Sequence, residues 1–167
     1  MEILWAPWRM AYVERKSDAA GMACIFCAAT GGEPRDRLLL GTTAASLVML
    51  NRYPYQNGHL MVAPRRHAAS LADLPAVEYQ DLSETLRRAV ATLGEAFHPE
   101  GFNLGMNLGA CAGAGVADHL HWHIVPRWSG DVNFMPLVAE VRVIPQHLLD
   151  TYDRLRAPFR WLDPRCD

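Results

Sequence analysis

The chain has 167 residues, 50% hydrophobic and 20% charged, with a net charge of −2 at pH 7. That length and apolar content suit a single domain with a real core and argue against intrinsic disorder. The near-neutral balance leaves no electrostatic footprint for nucleic acid, and no apolar run approaches the roughly 18–20 residues that cross a bilayer. Neither nucleic acid nor membrane is therefore expected as a partner. Lys16 is the only lysine, so the positive charge is almost all arginine. An arginine fork suits small phosphate or carboxylate ligands, but pairing with surface carboxylates explains the bias equally well. Met1-Glu2-Ile3-Leu4-Trp5 has no basic region followed by a small-residue cleavage site, so it does not read as a signal peptide. The cysteines at 24, 27, 111 and 166 form no disulfide framework. A cytoplasmic protein is expected.

Residues 1–20 read as an aromatic arm carrying Trp5, Pro7, Trp8 and Tyr12, and 129–167 as a C-terminal extension of the one domain. Gly21 to Pro34 is punctuated by glycine and contains Cys24-Ile25-Phe26-Cys27. Short strand-like runs follow at Leu38–Gly41, Ser46–Leu50 and His59–Ala63. Tyr53-Pro54-Tyr55-Gln56-Asn57-Gly58 has the chemistry of a hairpin loop. Over residues 76–97, Leu82, Leu86, Val90, Leu93 and Phe97 recur every three or four positions, while Glu78, Glu84, Arg87 and Arg88 fall elsewhere. This is a long amphipathic helix, with Pro75 at its start and Pro99 just beyond its end. Two more strand-like runs, Asn103–Leu108 and His119–Pro126, flank the flexible Gly109–Gly115 segment. A last helix is expected from Pro145 to Leu155, with Leu148, Tyr152 and Leu155 on one face. Five strands around one long helix and a C-terminal helix make an α+β domain with a mainly antiparallel sheet.

The most informative stretch is His119-Leu120-His121-Trp122-His123-Ile124. Side chains alternate along a strand, so the three histidines share one face at roughly 7 Å intervals. Leu120, Trp122 and Ile124 take the other face and can pack on the helix. One histidine on a strand is usually a satisfied polar residue. Three in register beside a glycine-rich loop point either to catalysis or to a metal, since alternating imidazoles can chelate zinc or copper. The Cys24-x-x-Cys27 pair is open in the same way. It suits a redox pair, half of a zinc site or two buried thiols, though no thioredoxin-like context surrounds it.

His-Leu-His-Trp-His-Ile-Val resembles the signature of the histidine-triad (HIT) family. The Gly58–Pro64 run, Asn51, His67, and Asn107 with Gly109 also fall where that family's nucleotide-site residues are expected. The flanks Leu4–Met10 and Trp128–Pro136 resemble the bacterial diadenosine-polyphosphate phosphorylase, or ATP adenylyltransferase, branch. One departure stands out. Many members carry a glutamine four residues before the first triad histidine, where this chain has Gly115.

The resemblance implies a HIT-like fold and a nucleotidyl transferase or hydrolase acting on adenine dinucleoside polyphosphates. It makes His121 the nucleophile on an α-phosphate, through a covalent nucleotidyl-histidine, with His123 and His59 binding phosphate oxygens. Asn51 would hold ribose hydroxyls and Asn107 the phosphate or leaving group; turn formation and strand-end capping are the structural readings of the two. Backbone amides of the loop at Gly113 and Gly115 would replace the missing glutamine. That small, open loop favours inorganic phosphate over water as acceptor. Cys24, Cys27, His67 and His119 become a structural zinc site, and a homodimer is expected. A phosphoramidase and a non-catalytic, zinc-stabilised nucleotide-binding module are the alternatives.

Overall fold

The computed structural model describes residues 24–131 and 146–163. The aromatic arm, residues 132–145 of the extension and Cys166 lie outside the described residues. Five strands form one sheet: β1 (Leu39–Thr42), β2 (Ser46–Leu50), β3 (Leu60–Pro64), β4 (Gly101–Met106) and β5 (Trp122–Arg127). Their spatial order is β1-β2-β3-β5-β4, and every neighbouring pair is antiparallel. The helices are α1 (Ile25–Ala29), α2 (Pro34–Arg37), α3 (Ala76–Phe97) and α4 (Leu148–Arg156). No helix among the described residues is long and apolar enough to cross a membrane.

The helix expected over residues 76–97 is α3, residue for residue. Pro75 stands at its N-terminal boundary, and His98 ends it in the left-handed conformation at φ 49°. Leu82, Thr85, Ala89 and Leu93 are buried against the sheet. Leu38, Leu40, Val48, Leu50, Leu60, Val62, Leu120 and Ile124 supply the facing layer, closed at one end by Tyr152, Leu155 and Phe159. The C-terminal helix starts at Leu148 rather than Pro145, where His147 caps it by accepting the Leu149 amide on Nδ1.

The second face of the sheet is covered too. Leu39, Leu47, Met49, Met61 and Ala63 pack with Phe26 and Ala29 of α1. Burying a side chain the size of Phe26 contributes about 2–3 kcal/mol, which ties the cysteine-bearing segment down. This explains why β1, β2 and β3 are buried along their whole length instead of alternating.

Gly41 lets the C-terminal chain approach β1. A Cβ there would lie 2.6 Å from Leu162 Cβ and 2.7 Å from the Asp163 carbonyl oxygen. Thr42 and Asp163 exchange both backbone hydrogen bonds at 2.9 Å immediately beside it. Gly41→Ala is therefore expected to cost about 2–4 kcal/mol, because the clash is with backbone that cannot swing away. A thermal melt should show the midpoint falling by roughly 5–12 °C. A shift of a degree or less would mean that this contact does not hold the C-terminal segment in place.

Candidate active site and metal cluster

The histidines lie where the last strand enters the sheet. Only His123 sits within the hydrogen-bonded strand, paired with Met61 on one side and Gly105 on the other. The expected start at His119 is corrected to Trp122. The reason is Pro64, which ends β3 and has no N–H to continue the ladder. The chain before β5 stays extended and instead follows the segment after β3, where the Leu120 amide donates to the Ala68 carbonyl at 2.8 Å. Alternation survives without the ladder. Leu120 is in the core beneath α3, while His119, His121 and His123 are on the side of Met61.

Much of that side is closed to solvent, with His123 half-buried. His59 and His119 are completely buried, and His121 is 4% exposed. Phe26 supplies much of the cover. Its ring centroid lies 4.9 Å from that of His119 and 4.8 Å from that of His121.

Hydrogen-bond partners fix the imidazole protons. The His121 Nδ1 is 2.9 Å from the His119 carbonyl oxygen, which can only accept. Nδ1 therefore carries the proton and Nε2 keeps its lone pair. The acceptor is the carbonyl two residues back along the same segment. Burial also pushes the His121 pKa below the usual histidine range, so the neutral ring prevails at pH 7. A second chain of contacts runs through His59. The Tyr55 amide donates to His59 Nδ1 at 3.0 Å, so His59 is protonated on Nε2. That Nε2 lies 3.0 Å from His123 Nδ1, which must accept, and the His123 proton is then on Nε2. The rings of His121 and His123 meet edge to face at 4.8 Å. Tyr55 also stacks on His59, with centroids 4.9 Å apart.

Beside the triad, Cys24, Cys27, His67 and His119 bring four potential ligand atoms within 4.8 Å of one another. His119 Nδ1 is 3.2 Å from Cys24 Sγ and 3.6 Å from Cys27 Sγ, while His67 Nδ1 is 3.3 Å from Cys27 Sγ. A tetrahedron with zinc–sulfur legs of about 2.3 Å and zinc–nitrogen legs of about 2.0 Å has sulfur–nitrogen edges of about 3.5 Å. The donor set and its spacing fit zinc. His119 Nε2 is 2.8 Å from the Pro64 carbonyl, so its proton is held there and the Nδ1 lone pair faces the cluster.

The remaining expected residues are less tightly drawn together. Asn51 hydrogen-bonds His59 through its backbone amide, and its Oδ1 accepts the Tyr53 amide at 2.9 Å, forming the turn expected near Pro54. Asn107 follows the final ladder pair of β4, Met106 with Trp122, at the level of His121. Gly109 and Gly113 bracket a short 3₁₀ turn at φ 81° and 85°, and a Cβ at either would meet nothing. They are glycines for their backbone angle, not for space. Gly115 precedes Val116, which packs with Cys24 against the Phe26 cluster.

A model of the HIT domain matches residues 34–130. The chain belongs to the HIT family. It is 37% identical over 157 residues to the AP-4-A phosphorylase of Mycobacterium tuberculosis, covering 90% of this chain and 80% of that one. Adenosine 5'-monophosphoramidase of Schizosaccharomyces pombe is 34% identical over 106 residues, 64% of this chain and 75% of its own. Among solved structures, a zinc-bound histidine triad family protein from Mycobacterium smegmatis superposes with a TM-score of 0.65 at 26% identity. That match covers 84% of this chain and 95% of that one. The five-stranded antiparallel sheet with its long helix is thus the HIT fold.

Sequence reasoning missed two residues of this HIT site. Phe26 meets histidines far along the chain, at 119 and 121, which leaves no local periodicity, and Tyr55, which stacks on His59, read only as part of a loop. The position of Phe26 inside the Cys-x-x-Cys spacing was the one signal available.

Proposed function

We propose that this protein is a nucleotidyl transferase that cleaves dinucleoside polyphosphates of the diadenosine tetraphosphate type, with inorganic phosphate as acceptor. The observation that carries the reading is the tautomer pattern, His121 Nδ1–H against a carbonyl beside His123 Nε2–H, together with the similarity to the mycobacterial phosphorylase. A neutral imidazole with a free-standing lone pair is a nucleophile at pH 7, and a neighbouring N–H stabilises charge developing on phosphate.

In the first step His121 Nε2 forms a bond to an α-phosphorus, and the bond to the bridging oxygen breaks. That oxygen leaves with the electron pair as part of ATP. The ring becomes a cation, and the His119 carbonyl holds its Nδ1 proton throughout. In the second step a phosphate oxygen attacks the same phosphorus, the phosphorus–nitrogen bond breaks, and ADP leaves with His121 neutral again. Both ring nitrogens of His59 are engaged by Tyr55 and His123, so His59 acts through His123 instead of touching phosphate, which revises the expected role. Asn51 and Asn107 serve the ribose and the leaving phosphate, and the Gly113–Gly115 amides the incoming anion. Zinc on Cys24, Cys27, His67 and His119 would be structural, since the protein fills all four positions. The exposed Leu104 on β4, an edge strand, supports a homodimer with the sheet continued across it. The whole chain acts as one domain in the cytoplasm.

Product identity tests the reading. Diadenosine tetraphosphate with phosphate is expected to yield ADP and ATP in equal amounts, at a rate that rises with phosphate. AMP with ATP at a rate indifferent to phosphate would leave a hydrolase on the same histidine. Preference for an adenosine phosphoramidate, the chemistry of the fission-yeast relative, would replace the substrate class.

A further inference from the structure

The side chain that a metal on the Cys24–Cys27 pair would hold nearest the chemistry is neither cysteine but Phe26, the second of the two residues between them. Phe26 is completely buried, and its ring lies against both His119 and His121. The nucleophile needs this support. Rotation of an imidazole about its last side-chain torsion is broad, and half a turn would exchange Nδ1 with a carbon. A single neutral hydrogen bond to the His119 carbonyl favours the working orientation by only about fivefold. Among the described residues the His119 carbonyl is the one hydrogen-bond partner of the His121 ring, so packing has to supply the rest.

We infer that Phe26 is a positioning residue for His121: the Cys-Ile-Phe-Cys turn presses the Phe26 ring onto the imidazole and keeps Nδ1 on the His119 carbonyl and Nε2 toward substrate. His119 joins the two sites from both sides. Its Nδ1 faces the cysteines, and its carbonyl holds the His121 proton. The metal cluster thus bears on the nucleophile through Phe26 and one backbone carbonyl, while touching no substrate. The kinetic part of this inference rests on His121 being the nucleophile, and the orientation part does not.

The test compares Phe26→Leu with Met49→Ala, a truncation in the same buried cluster on β2, which β3 separates from β5. Three quantities are read on the full chain: zinc content, kcat against KM with diadenosine tetraphosphate, and histidine tautomers by long-range proton–nitrogen correlation on nitrogen-15-labelled protein. Zinc stoichiometry in Phe26→Leu is expected to match wild type. kcat should fall about 10- to 100-fold with KM within about threefold, since a misaimed nucleophile loses rate and not ground-state affinity. The His121 signal should change from a single Nδ1–H form to a mixture. Met49→Ala should lose stability yet keep kcat within about twofold and the wild-type tautomer. A His121 signal in Phe26→Leu that stays wholly Nδ1–H overturns the inference, whatever the rate does. If wild type turns over no nucleotide, the functional reading fails, yet the tautomer measurement still decides this one. Should Phe26→Leu not fold, Phe26→Met, which also lacks the flat ring, carries the same measurements.

Discussion

Replacing His121 by asparagine is expected to abolish turnover, lowering kcat by at least about 10³-fold, while nucleotide affinity changes only modestly. Asparagine is chosen because its amide N–H stands where Nδ1–H stood and can still donate to the His119 carbonyl. The variant thus removes Nε2 and little else, with no unpaired carbonyl left beneath Phe26. Losing a covalent nucleophile costs several orders of magnitude, whereas losing one positioning contact costs about one or two. Intact-mass measurement supplies the second arm. Wild-type protein mixed with substrate and denatured during turnover should carry one added AMP, mapping to the His121 peptide, and His121→Asn should carry none. Activity above a few per cent of wild type in His121→Asn would remove the covalent mechanism.

The second large effect concerns the metal. Untagged protein should contain about one zinc per chain by elemental analysis, and Cys27→Ser should lose it. Ligand bound only to the folded state stabilises by RT ln(1 + [L]/Kd), about 4 kcal/mol at a thousandfold excess over Kd. For a chain of this size that is roughly 8–16 °C in melting temperature. A chelator should produce the same shift in wild type and none in Cys27→Ser. The shift should be apparent in the melt before activity declines, because all four ligands come from protein and none from substrate. If the protein holds no metal and Cys24→Ser melts as wild type does, the four residues are not a metal site.

These expectations concern residues that were legible to different degrees. The spacing of Leu82, Leu86, Val90, Leu93 and Phe97 was enough to draw α3 from Ala76 to Phe97, because a long helix is written in contacts three and four residues apart. Ser46–Leu50 was equally plain as a strand. Its neighbours shifted by one or two residues, since strand ends are set by where a partner runs out of hydrogen bonds. The start of β5 was placed three residues early for that reason: His119 to His123 alternates like a strand throughout, but Pro64 on the partner ends the ladder at Trp122.

For the candidate site, the order of residue types along the chain determined which side chains could take part. The alternating histidines, the Cys-x-x-Cys spacing, His59 and His67 could all be named without coordinates. Tertiary structure decided what each of them faces. Alternation put the three imidazoles on one face, and Phe26 closes over two of them, His119 and His121, because α1 packs on that side of the sheet. The proton positions came only from folding, since the carbonyl of His119 and the amide of Tyr55 are identical in sequence to every other carbonyl and amide. A sequence records which groups can donate, accept or ligate at short, regular spacing. Which lone pair is left pointing into a site depends on partners brought together across 64 residues between His59 and His123, and 95 between Cys24 and His119.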